Sequence, residues 1–329
     1  MTKLLFSSTT TFILVLFVIP QTLLATDSDT ITNNTSVDTT SSWSFKSLSL
    51  LNVNQIAFVN WASGGESSLS GKAAADYELK YEKNKFTFNQ QGNFAFGMVG
   101  YADKHIEKTD DKLELLLAFS HQTSNKWSLT ALTTLKSQFA DGYKYPNDST
   151  LISSFFAPAY LTVSLGFNYK PNEDFQLFMS PLSGKMTFVK NTELANKGAF
   201  GVKKAEVDSA GNIIVPGKQF LGEVGINLLT TYKADLMENI KLNTAITLHN
   251  NYLDLDINNR WNIDVDVDTR VIFSVNKLFS TILYMHVKYD HNSLSPNYEI
   301  VDGDKVEVSS SPKLQIKESF GLGVSYQID

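Results

Sequence analysis

Alternation of apolar and polar residues is the dominant pattern of the chain from Phe45 onward. In the C-terminal segment, interrupted once by Glu318, one alternate row is apolar: Leu314, Ile316, Phe320, Leu322, Val324, Tyr326 and Ile328. Small and polar residues fill the other row. A period of two predicts a β-strand with one apolar and one polar face. Such a strand lies between an apolar and a polar environment.

The same pattern predicts twelve strands in all. Their ranges are 46–58, 69–81, 85–99, 111–121, 126–139, 158–170, 175–189, 219–232, 239–253, 260–276, 280–290 and 313–328. Most are longer than the roughly five to six residues of a typical soluble strand. An even number of strands is typical of single-chain bacterial outer-membrane barrels.

The connections between these strands alternate in length. Those after even strands are short, at 82–84, 122–125, 171–174, 233–238 and 277–279. Those after odd strands are long, with 254–259 as the short exception: 59–68, 100–110, 140–157, 190–218 and 291–312. Outer-membrane barrels combine short periplasmic turns with long external loops in this way. The sequence therefore predicts an all-β fold, a single antiparallel transmembrane β-barrel of about 12 strands over 45–329.

A soluble β-sandwich or lipocalin-like barrel is the alternative, since its strands also alternate but turn their apolar face inward. The long strands, the scarcity of helical patterns and the asymmetry of the loops favour the membrane barrel. Within the seventh strand, Pro181 and Gly184 interrupt the alternation and predict a bulge or a corner.

The N-terminus resembles a secretory signal. Lys3 precedes an apolar run from Phe12 to Ile19, which is too short for a membrane-spanning helix of about 20 residues. We assign 1–25 as a signal peptide and 26–44, which is rich in Thr, Ser and Asn, as a flexible periplasmic lead. Export to the cell outer membrane is the expected localisation.

The amino-acid composition excludes several classes of functional site. The chain has no cysteine, which excludes a disulfide framework, a thiolate metal site, a cysteine nucleophile and an N-terminal lipid anchor. Its net charge is −6 with dispersed basic residues, so nucleic acid is not an expected partner. The expected partners are outer-membrane lipids, the barrel-assembly machinery and a small polar solute. No cofactor or metal is expected, and a partner protein is not identified.

A charged row on the tenth strand is the main candidate site. Asp264, Asp266, Asp268 and Arg270 alternate with apolar residues, so they face the predicted lumen. The next strand places His286 and Lys288 on its polar row, opposite Arg270 and Asp268 in one register, whereas a shifted register pairs Asp266 with Lys288. Cross-strand ion pairs in a watery interior and a selectivity-setting ring are both consistent with this pattern.

Two further lumen candidates complete the set, Glu223 and His249, which lie on the polar rows of their strands. A charged lumen favours a passive channel for small polar solutes. A structural or surface-binding barrel with a plugged lumen is the alternative.

An outer-membrane lipid hydrolase is a further possibility, and it needs histidine and serine on the outward surface. His249 and His286 are on inward rows, and no GxSxG turn is present, so the sequence does not favour an enzyme.

The first predicted external loop contains Asn60, Trp61, Gly64 and Gly65. The glycines permit positive φ beside a large aromatic side chain. The segment is consistent with a folded-back loop packed by Trp61 or with a recognition site.

Four ordered motifs carry a resemblance to a known family: NQIAFVNWASGG at 54–65, SQFADGY at 137–143, SFFAPAY at 154–160 and SPLSGKMTFV at 180–189. Together they resemble domain of unknown function 3078, a family of uncharacterised outer-membrane β-barrel-like proteins from Bacteroidetes. The resemblance implies a β-rich protein of the outer membrane or facing the periplasm. It implies no catalytic residues.

Overall fold

The computed structural model of the chain describes residues 42–57, 66–101, 106–254, 256–276, 279–301 and 304–328. Twelve long strands form one closed barrel. They are β1 Ser42–Ile56, β2 Ser68–Lys83, β3 Phe86–Tyr101, β4 Ile106–Gln122, β5 Trp127–Ser137, β6 Ala159–Tyr169, β7 Phe175–Phe188, β8 Phe220–Met237, β9 Ile240–Asn250, β10 Asp264–Ser274, β11 Phe279–Tyr289 and β12 Gln315–Ile328. The predicted number and order of the strands are confirmed.

Each barrel strand pairs antiparallel with its neighbours in sequence, and β12 closes the ring by pairing with β1. The hairpin ladders are long, with fifteen residue pairs between β1 and β2, for example. The closing ladder between β1 and β12, called the seam below, has six pairs, from Ser47 with Ile328 to Asn52 with Gly323.

The two faces of the barrel wall differ as the alternation predicts. Outward apolar side chains are exposed, as with Phe320 at 73% and Phe167 at 51%, whereas the inward Ser164 and Asn227 are 2% and 4% exposed. Ser164 shares a hydrogen bond of 2.8 Å with Ser183 and accepts another of 3.3 Å from Asn227. The expectation of apolar residues outside and polar residues inside is confirmed.

The connections define two ends of the barrel. The turn end holds the tight connections at 84–85, 123–126, 170–174, 238–239 and 275–278. The loop end holds the others, and two of these differ in length from the prediction. The connection between β3 and β4 is shorter than predicted, at 102–105 instead of 100–110. The connection between β9 and β10 is longer than predicted, at 251–263 instead of 254–259.

Two boundaries differ from the sequence prediction. Strand β1 begins at Ser42, inside the predicted lead 26–44, because Ser42 continues the ladder opposite Glu82. Strand β10 begins at Asp264 rather than near 260, because Ile257–Trp261 form a 3-10 turn. Asn250 holds that turn through hydrogen bonds of 2.8 Å to the carbonyls of Arg260 and Asn262. The signal peptide 1–25 lies outside the described residues.

A bulge interrupts β7, which confirms the prediction from Pro181. The register with β6 shifts between Leu165 and Phe167, where Ser180 and Pro181 of β7 lie opposite the single residue Gly166. The Ser180 hydroxyl is fully buried and lies 2.8 Å and 2.6 Å from the carbonyl oxygens of Leu165 and Leu182. The side chain thus stabilises the backbone where the ladder is broken.

The loop end carries its own small core. The loops 138–158 and 189–219 pack together around Ala157, Val189, Leu194, Ala195 and Val202. The second loop contains the short helix α1, Thr192–Asn196, which Asn191 caps through the Leu194 amide. None of the helices in the described residues has the length and apolar character needed to cross a bilayer.

Candidate functional site in the barrel lumen

The register between β10 and β11 decides how the charged row is paired. Asp266 lies opposite Lys288, Asp268 opposite His286 and Arg270 opposite Tyr284. This is the shifted register of the two that the sequence left open. The His286 ring Nε2 lies 3.2 Å from Asp266, one step along the same face.

The charged row of β10 also pairs with distant strands across the lumen. We call these four contacts the transverse ladder. Its members are Asp264 with Lys185 of β7 at 2.6 Å, Asp266 with Lys136 of β5 at 3.1 Å, Asp268 with Lys112 of β4 at 2.9 Å, and Arg270 with Asp76 of β2.

The transverse ladder connects opposite walls. In the ring of twelve, β4 stands six places from β10, which is the greatest possible separation, and β5 stands five places away. A barrel of this strand number encloses more space than its side chains fill when the cross-section is circular. The ion pair of Lys112 and Asp268 joins strands of opposite walls, so these side chains narrow the open cross-section of the lumen along β10.

Tyr284 of β11 lies at the middle of this arrangement. Its hydroxyl donates a hydrogen bond of 2.8 Å to Asp268. The cationic groups of Lys72, Lys112 and Arg270 lie 5.6–5.8 Å from the centre of its ring. Such cation–π contacts add to the ion pairs in holding the walls together.

Lys185 forms the contact of the transverse ladder that lies nearest the loop end. Besides Asp264, its ammonium lies 3.4 Å from Glu223 and 3.7 Å from Asp290. Glu223 also accepts a hydrogen bond of 3.0 Å from Asn292, just after β11. The ammonium group of Lys185 thus contacts carboxylates from three parts of the wall.

A cavity of about 920 Å³ follows the lumen. Its lining extends from Glu173 and Asp174 at the turn end to Gln138 and Pro158 at the loop end. Twelve Asp and Glu residues and nine Lys and Arg residues line it, so the surface carries an excess of negative charge. Seven of the eight predicted lumen residues line this cavity: His249, Asp264, Asp266, Asp268, Arg270, His286 and Lys288. The eighth, Glu223, lies beside Lys185 at the loop end of the transverse ladder.

The two predicted lumen histidines face the interior. His286 contacts Asp266, as above, whereas His249 is 6% exposed and neither ring nitrogen has a hydrogen-bond partner in the described structure. Lys288 lies over the ring of Tyr160 on β6, 4.7 Å from its centre. No three His, Asp or Glu side chains in the described ranges are arranged to hold a metal ion.

Sequence reasoning missed the partners of β10. These partners lie on the polar rows of their strands, so the sequence predicts that they face inward: Lys112, Lys136, Lys185 and Asp76. Their pairing was not predictable, because alternation identifies the face of a strand but not the strand on the opposite wall. The predicted motif residues Asn60, Trp61, Gly64 and Gly65 lie outside the described residues.

The fold and the lumen define a closed antiparallel barrel with a charged interior and an apolar exterior. Residues 53–143 match a family described as "Protein of unknown function (DUF3078)". The resemblance to this family is confirmed over this span, which reaches from the loop-end part of β1 to Tyr143, whereas the motifs at 154–160 and 180–189 lie outside it. No curated protein sequence is significantly similar to the chain.

Two solved bacterial structures align with most of the chain at low sequence identity. The translocator domain of the autotransporter NalP from Neisseria meningitidis is 9% identical, covers 86% of both chains and has a TM-score of 0.35. The COG4313 outer membrane channel from Pseudomonas putida F1 is 12% identical, with a TM-score of 0.34 over 86% of this chain and 93% of that one.

Proposed function

We propose that this protein spans the outer membrane and acts as a narrow passive channel for small polar solutes. The apolar outer face of the barrel supports the membrane location, since a soluble barrel turns that face inward. Exposed Trp43, Phe86 and Trp127 near the turn end suit the membrane–water interface, where aromatic rings accumulate. The N-terminal signal-like segment supports export.

The lining of the cavity is the observation that carries the channel proposal. Polar and charged side chains follow it from the turn end to the loop end, which is the path that a hydrated solute needs. The transverse ladder is its constriction. The excess of carboxylates over basic groups favours cations over anions.

A structural or surface-binding barrel with a closed lumen is the second candidate. The ion pairs between opposite walls favour it, and so does the packed core of the loops 138–158 and 189–219. A lipid hydrolase has less support, because His249 and His286 face the interior and lie away from the lipid-facing surface.

Conductance separates the first two candidates. We expect the detergent-purified protein to show a heat-dependent gel shift and small, cation-preferring current steps in planar bilayers. The double variant Asp266→Asn/Asp268→Asn should weaken the cation preference and change the step size, whereas Glu193→Gln on the outer loops should change neither. A gel shift without current would favour the closed barrel. Solubility without detergent would overturn the membrane location.

A further inference from the structure

Within the described residues, the seam leaves part of two strand edges unpaired at the loop end. Its ladder stops at Asn52 and Gly323. Among the described residues beyond that point, Val53–Ile56 of β1 pair with β2 alone, and Glu318–Leu322 of β12 pair with β11 alone. Continuing the register would place Asn54 opposite Gly321, yet the described residues contain no such pair. Each free residue adds about 3.3 Å, so the free edge of β12 opposite described residues is about 17 Å long.

An open edge is unfavourable in a membrane barrel. Backbone N–H and C=O groups without partners are costly in hydrocarbon, and even in water a free edge is a template for another strand. Lipid acyl chains cannot satisfy these groups, because they neither donate nor accept hydrogen bonds. A polypeptide in extended conformation can.

Glu318 gives a second, independent observation at the same edge. It faces outward on β12 between the exposed Ile316 and Phe320 and opposite Met285 of β11. Its carboxylate forms no hydrogen bond or ion pair with any described residue. An unpaired carboxylate on an apolar, lipid-facing surface is unfavourable and calls for a cation.

We propose that the loop-end half of the seam binds an extended, basic segment of a partner polypeptide, which adds to the free edge of β12. The partner backbone supplies the missing hydrogen bonds, and a Lys or Arg side chain pairs with Glu318. A second copy of this chain fits less well, because two β12 edges meeting about a two-fold axis would bring two Glu318 carboxylates together without a cation. The inference rests on the membrane barrel proposed above.

The test uses two fluorescein-labelled peptides and the full mature protein in detergent. The peptides are VTVTKTVT and VTVTETVT, in which the charged residue shares its face with valines, and binding is measured by fluorescence anisotropy. We expect the lysine peptide to bind the native protein at least ten-fold more tightly than the glutamate peptide. Glu318→Lys should reverse this preference, whereas Glu238→Lys at the turn end should leave it unchanged. Equal binding of both peptides, or binding of neither, would overturn the inference.

Two controls based on the cysteine-free background complete the design. Oxidised Asn54→Cys/Gly321→Cys closes the seam and should abolish peptide binding, which reduction should restore. Ile316→Cys reports on self-association, and a homodimeric disulfide at this position would replace the partner polypeptide with a second copy. A normal heat-dependent gel shift in the same samples shows that the barrel is intact, so failure of this inference is distinct from failure of the membrane barrel.

Discussion

At the scale of single residues, Lys185 has the largest expected effect on stability. Its side chain is 11% exposed and compensates Glu223, Asp264 and Asp290. Removing one partner of a buried ion pair leaves uncompensated charge, which costs about 3–5 kcal/mol. Lys185→Met should therefore lower the free energy of unfolding by this amount, as measured by urea titration of the heat-dependent gel shift.

The matched control for that variant is Lys197→Met, which removes an exposed lysine paired with Glu193 on α1. An exposed pair contributes about 0–1 kcal/mol. Similar losses for the two variants would contradict the role assigned to Lys185.

Gly166 tests the backbone contact at the bulge. A Cβ atom there would lie 2.1 Å from the carbonyl oxygen of Met179, whereas a Cβ atom at Gly184 meets nothing within 4 Å. Gly166→Ala should destabilise the barrel by about 1–3 kcal/mol. Gly184→Ala should leave stability unchanged or raise it slightly. Equal unfolding midpoints for the two alanine variants would show that the bulge accommodates a side chain.

At the scale of elements, β10 couples the two walls of the barrel. Lys112 and Asp268 belong to strands six places apart in the ring, yet their side chains are in direct contact. A double-mutant cycle with Lys112→Met and Asp268→Asn should give a coupling energy of about 0.5–3 kcal/mol.

The same cycle on the exposed pair Lys203 and Glu206 is the reference, since both side chains are more than half exposed. Its coupling energy should be near zero. A coupling energy near zero for Lys112 and Asp268 as well would mean that these two side chains do not interact across the lumen in the folded protein.

The strands show how far the sequence pattern predicts the boundaries of the elements. The alternation located all twelve strands, because the strands present an apolar and a polar face. It misplaced the start of β10, where Trp261 and Ile263 continue the pattern without belonging to the strand. Hydrogen bonds from Asn250 hold that segment as a turn, and a tertiary contact of this kind has no periodic signature.

At the scale of the whole molecule, the two ends of the barrel face different compartments in our proposal. The cysteine-free chain allows single-cysteine labelling with a membrane-impermeant maleimide on intact cells. Ser209→Cys, in the loop 189–219, should be labelled from outside. Glu173→Cys, in the turn 170–174, should react after the outer membrane is permeabilised. The opposite result would invert the barrel, and equal labelling of both would argue against a membrane-spanning orientation.

The sequence by itself determined the strand number, the inward and outward faces and the two kinds of connection. These properties depend on residues that are close in sequence, either within one strand or in the next strand of a hairpin. Alternation and loop length therefore predict them directly. It also identified the charged row Asp264 to Arg270, since every second residue of a strand shares a face.

The tertiary structure decided what that charged row contacts and how many residue pairs the seam contains. The pairing of Asp268 with Lys112 depends on the cross-section of the ring, because strands on opposite walls have no local relation in sequence. The length of the seam depends on how the first and last strands are offset after eleven ladders have formed. Alternation is a property of one strand, whereas the lumen and the seam are properties of the closed barrel.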